Sequence, residues 1–114
     1  MDMRNAIALL LLTTLSWAAD FTGQWNLRSN NTDGETYFVV LTLRLENGAW
    51  KGMITVDGDE LDLRKIEADG DTLRFEAATD EATYKVTLTQ KDGQLTGTWE
   101  GNDGQKGSIQ GKKS

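Results

Sequence analysis

Stretch after stretch of this chain alternates apolar with polar residues and then breaks at a glycine, and no other feature constrains its fold as strongly. Phe21, Gly23, Trp25 and Leu27 alternate with Thr22, Gln24, Asn26 and Arg28, the period-two signature of a strand buried on one face. After a polar loop from Ser29 to Gly34, Tyr37, Val39, Leu41, Leu43 and Leu45 repeat the pattern, and Trp50, Gly52, Ile54 and Val56 repeat it again past Asn47-Gly48. Asn-Gly supplies the two positive φ angles that a tight hairpin turn needs. Asp57-Gly58-Asp59 leads into Leu61 and Leu63, and Asp69-Gly70-Asp71 into Leu73, Phe75 and Ala77. Ala82, Tyr84, Val86 and Leu88 form a further segment, Asp92-Gly93 leads into Leu95, Gly97 and Trp99, and Gly107, Ile109 and Gly111 close the chain.

Each connection is too short for a crossover helix, so the strands, about eight of them, must pair as hairpins. No window carries an apolar period of 3.6 residues, and none of the 114 residues is proline. The expectation is an all-β fold, an antiparallel up-and-down meander of short strands. Leu61 and Leu63 are followed by Ile66, a phase slip that a β-bulge at Arg64 or Lys65 would correct. A weak internal repeat, Leu41-Thr42-Leu43 with Gly48, Trp50 and Gly52 against Val86-Thr87-Leu88 with Gly93, Leu95 and Gly97, fits one hairpin geometry used more than once.

An open meander of this size would leave two bare edges and one exposed apolar face, whereas closure into a small barrel removes both. Inward positions would then include Trp25, Tyr37, Trp50, Phe75, Tyr84 and Trp99. These six, with Gly52 and Gly97, are the candidate ligand-binding positions of the interior. The two glycines either let neighbouring side chains pack closely or leave the gap a ligand would use. With strands this short, the interior is expected to be mostly filled, with at most a small apolar pocket near one mouth.

Residues 1–19 stand apart. Arg4 precedes an apolar run from Ala6 to Leu15 that is too short to span a bilayer, and Ser16-Trp17-Ala18 fits the small-x-small pattern of a signal-peptidase site. We expect a cleaved signal peptide at 1–19 and a single secreted or periplasmic domain at 20–114, since one core is all that such a length supports. The chain has no cysteine, so its hydrophobic core must hold it without disulfides.

The chain also has no histidine, and the lack of both histidine and cysteine removes the usual general base, thiol nucleophile and transition-metal ligands together. Its carboxylates sit at turns or at outward positions such as Asp62, Glu76 and Glu100. No enzyme, cofactor or metal is therefore expected. The Asp57-Gly58-Asp59-Glu60 and Asp69-Gly70-Asp71 clusters complete no calcium-loop spacing. A net charge of -6 argues against nucleic acid, and no membrane association is expected once the leader is removed. Phe38, Val40 and Met53 break the polar character of the outer face, as a contact patch or as a shielded strand.

Phe21-Thr22-Gly23-Gln24-Trp25 resembles the Gly-x-Trp signature of lipocalins and related calycin barrels. Leu95 to Trp99 and the closing Gly107 to Gly111 are similar to small secreted bacterial domains of the same type. The resemblance implies a tryptophan packed across the closed end of a barrel, and an activity of holding a small hydrophobic molecule inside it. Two functions follow as expectations: a non-catalytic binding protein with an internal apolar ligand, or a solid barrel that recognises a protein or carbohydrate through its outer surface.

Overall fold

Alternation places every second side chain on one face, and the turn residues decide how tightly each strand folds back on the last. The computed structural model describes residues 20–114; the expected leader at 1–19 lies outside them. The strands are β1 (Gly23–Asn31), β2 (Thr36–Glu46), β3 (Ala49–Val56), β4 (Asp59–Asp69), β5 (Thr72–Ala78), β6 (Thr83–Lys91), β7 (Gln94–Gly101) and β8 (Lys106–Lys113). Each pairs antiparallel with its neighbour in sequence. β8 returns to β1, from Trp25 opposite Lys113 to Asn31 opposite Gly107, so the meander closes into a barrel.

The turns take the chemistry their residues prescribe. Asn47-Gly48, Asp57-Gly58 and Asp92-Gly93 each hold both central residues at positive φ, the type I′ geometry that matches the twist of a hairpin. Gly70, at φ 63°, opens the β4–β5 turn with Asp71, as type II′ requires. The phase slip is a real bulge. Between Arg64 opposite Glu76 and Glu67 opposite Arg74, β4 spends one residue more than β5, and Lys65 stands at φ 55°. The extra residue returns Ile66 to the inside, where it packs against the core.

Leu27, Val39, Leu41, Leu43, Ile54, Leu73, Phe75, Val86, Leu88, Leu95 and Ile109 form one buried cluster with Phe21 and Trp25. One expected boundary is wrong. The polar stretch from Ser29 to Gly34 is not all loop: β1 continues to Asn31, and Ser29 and Asn31 point inward, 5% and 9% exposed. The reason is that Asn31 substitutes for missing backbone partners. Its Oδ1 accepts from the amides of Asp33 and Glu35, and its own amide donates to the Glu35 carbonyl, 3.1 Å away. A polar side chain so satisfied can face the interior at the end of a strand.

The two ends of the barrel differ. The end where β1 begins and β8 finishes has only two-residue turns, and Phe21 and Trp25, both 0% exposed, fill it. The Trp25 indole donates to the Phe21 carbonyl at 3.0 Å, and the Phe21 ring meets the edge of Trp50 at 6.3 Å between centroids. Gln90 fixes the segment before β1 by donating to the Asp20 carbonyl.

Candidate functional site

A cavity of about 410 Å³ opens at the other end. Its wall is the upper part of the inward set, where Val39, Ile54, Val56, Leu61, Val86 and Ile109 give it an apolar lining. Ala77 leaves the wall recessed between Tyr84 and Leu63, its cross-strand partners. Trp99 forms one side, edge to face with Tyr84 at 5.7 Å. The rim is polar, with Ser29, Tyr37, Asp57, Asp59, Thr79 and Gln105 around the opening. The volume falls in the range of small-molecule sites, and the distribution of many apolar walls with few polar groups is theirs too. A second depression, about 710 Å³, lies on the outer face against Lys85, Thr87, Thr98 and Glu100, with Trp99 also in its lining.

The loops position the rim. At β1–β2 and β7–β8 the same three-residue geometry recurs: Gly34 and Gly104 donate back to the carbonyls of Asn31 and Gly101, each 3.2 Å away. In the first loop Glu35 accepts from Asn31 Nδ2 at 2.8 Å and from the Tyr37 hydroxyl at 3.3 Å. In the second, Asp103 accepts from the Tyr84 hydroxyl at 3.1 Å while its other oxygen takes the Gln105 amide. The β5–β6 loop is tied by Thr79, whose Oγ1 accepts from the amides of Glu81 and Ala82. Each phenol at the mouth is therefore clamped to a carboxylate that its own loop holds in place.

Burial, then the adjacent Glu35 carboxylate, pushes the Tyr37 hydroxyl above its ordinary value of 10.0. Burial, then the hydrogen bond to Asp103, does the same for Tyr84. These are the chain's two tyrosines. A raised pKa in the folded state means that the protonated phenols stabilise the fold. That contribution is complete below the unfolded value and is lost as pH rises through the folded ones. An absorbance titration at alkaline pH should show both phenols ionising above 10.0, with loosening of the mouth in the same range; an ordinary titration of either one would contradict the clamp.

Of the eight interior candidates, Tyr37, Tyr84 and Trp99 line the cavity and five do not. Trp25 and Trp50 belong to the closed end, and Phe75 is buried in the core beneath the cavity. Gly52 and Gly97 leave no gap. A Cβ at Gly52 would stand 2.8 Å from Leu43 and 2.9 Å from Leu63, and one at Gly97 would overlap the Thr87 carbonyl oxygen. Close packing is thus the use of both glycines. Ser29, Ala77, Thr79 and the rim acids Asp57 and Asp59 were not foreseen as part of a site. The outer patch is present but loose: Phe38 is 61% and Met53 49% exposed, Val40 is half-buried between them, and the Arg28 guanidinium lies 5.5 Å from the Phe38 ring. Among the described residues, no group of three or more carboxylates is arranged to hold a metal ion.

No family model matches the chain, and no curated protein matches it closely enough to be called a relative. The barrel is similar to solved structures of designed proteins. A de novo designed fluorescence-activating β-barrel superposes with a TM-score of 0.64 at 20% identity, over 82% of this chain and 94% of that one. A redesigned β-barrel, b11L5F_LGL, gives 0.65 at 17% identity over 82% and 90%. The redesigned β-barrel mFAP1, solved bound to DFHBI, gives 0.61 at 17% identity over 81% and 94%. Likeness at these identities establishes the fold: an eight-stranded antiparallel up-and-down barrel.

Proposed function

We propose that this protein is a non-catalytic binding protein, secreted or periplasmic, that holds a small, largely apolar molecule in the open end of its barrel. The observation that carries the proposal is the one-ended cavity of about 410 Å³, apolar in its walls, polar at its rim and floored by a packed core. A closed floor matters because a ligand entering such a cup gives up its apolar surface to side chains already held in place, and no loop has to be ordered first. The similar barrel mFAP1 is solved with DFHBI bound, which supports a barrel of this size accommodating a small molecule. The lipocalin-like opening at Gly23 and Trp25 and the leader-like segment at 1–19 support the family type and the location. The absence of histidine and cysteine from the chain supports a role without catalysis.

Calorimetric titration with 1-naphthalenemethanol, a neutral aromatic probe, tests the reading. Saturable binding at one site is expected, and Ala77→Leu should weaken it at least tenfold by filling the recessed wall with about three carbon groups, each worth about 0.8 kcal/mol when buried. Melting temperature monitors the fold in the same samples. Binding that survives the substitution unchanged would place the probe elsewhere, the exposed Phe38 and Met53 being the first alternative.

A further inference from the structure

The loops at the two ends of the barrel carry different charge. The four connections at the open end, 32–35, 57–58, 79–82 and 102–105, contain Asp33, Glu35, Asp57, Asp80, Glu81 and Asp103 and no lysine or arginine. Asp59 adds a further carboxylate directly at the rim. The closed-end connections, 47–48, 70–71 and 92–93, carry two acids, and Lys91, Lys112 and Lys113 stand on the strand ends beside them, with the Lys113 ammonium 5.4 Å from the Trp25 ring; at the open end the strand-end base is Lys106, opposite Glu100. Inside the mouth the same arrangement continues in aromatic form, since Tyr37, Tyr84 and Trp99 all line the cavity. Electron-rich ring faces attract cations and do little for anions. Asp57 and Asp59 line the opening itself, and Glu35 and Asp103 are held to it through Tyr37 and Tyr84.

Resting on the proposed binding function, we infer that the preferred ligand is an amphiphilic organic cation, its apolar body inside the barrel and its positive group, an ammonium or similar, at the mouth. An anionic head would meet mostly like charge there, because the base at the start of β8, Lys106, stands opposite Glu100 and borders the outer depression. The carboxylates are spread around the rim with no metal-binding group among the described residues, so they act on a diffuse charge at the opening.

The test is calorimetric titration of the protein with three probes that share one body: 1-naphthylmethyl-trimethylammonium, neutral 1-naphthalenemethanol and anionic 1-naphthoate. The cation should bind about fivefold to tenfold tighter than the neutral probe and the anion more weakly than either, the size expected of a few partly solvated charges within several ångströms. Raising ionic strength from about 0.01 M to 1 M, which shortens the screening length from about 30 to 3 Å, should shrink the cation's advantage. In Asp57→Asn/Asp59→Asn the ratio of cation to neutral affinity should fall at least threefold. Asparagine suits the positive φ of position 57 and can still accept from the Phe38 amide. Neutral binding with no preference for the cation would overturn the charge inference and leave the cavity standing, whereas failure of all three probes to bind would overturn both.

Discussion

Trp25→Ala should destabilise the barrel by about 3–5 kcal/mol, the cost of removing a buried aromatic side chain and leaving a cavity that its surroundings only partly fill. The side chain is fully buried at the closed end, and two further losses accompany the empty volume. The Phe21 carbonyl loses the indole N–H that it accepts at 3.0 Å, and a buried acceptor without a partner adds roughly 1–3 kcal/mol of its own. Phe21, whose ring also meets Trp50, then loses a packing neighbour over the barrel end. Trp25→Phe separates the effects, since it keeps most of the volume and removes the donor; it should cost about 1–2 kcal/mol. Urea unfolding of the three proteins measures both differences. Equal losses for alanine and phenylalanine would show that the hydrogen bond, and not the ring, holds the end shut.

The contrast between the two ends also shows where sequence was sufficient. Inward and outward faces follow from alternation because side-chain direction in a strand is local: Trp25, Leu41, Phe75 and Trp99 could be assigned without any knowledge of their neighbours. The bulge was legible for the same reason, as a change of parity between Leu63 and Ile66 that only an extra residue repairs. The height of a residue along the barrel is another matter. It depends on how each strand is staggered against the next, so nothing near Trp50 or Gly52 says that they lie at the closed end while Tyr37 lies at the mouth. One available signal would have helped. Three of the four connections at the open end, 32–35, 79–82 and 102–105, are four residues long, while all three at the other end are two. In an up-and-down meander alternate connections share an end, so the longer, acidic loops had to gather around one opening. Ser29 and Asn31 escaped because a polar residue at an inward position looks like loop until its partners are known.

Gly97→Ala should cost about 3 kcal/mol or more and Gly97→Leu should prevent folding, although the position faces the interior and looks like an empty seat. The obstacle is backbone. A Cβ there would overlap the Thr87 carbonyl oxygen and lie 2.9 Å from the Leu88 Cα, so β6 and β7 would have to separate along their ladder. Such a shift cannot be absorbed by a rotamer change, which is why it exceeds the usual cost of overpacking. Gly107 and Gly111 meet the carbonyl oxygens of Asn30 and Asn26 in the same way across the β8–β1 seam. The three glycines thus mark where a neighbouring backbone comes too close for a Cβ, and two of them lie on the seam that closes the ring. Ala77→Leu provides the control, because it also adds bulk inside the barrel but at a site bordering the cavity. Circular dichroism melts should leave Ala77→Leu folded and Gly97→Leu unfolded. If both folded with similar stability, β6 and β7 would have slack that the structure does not show.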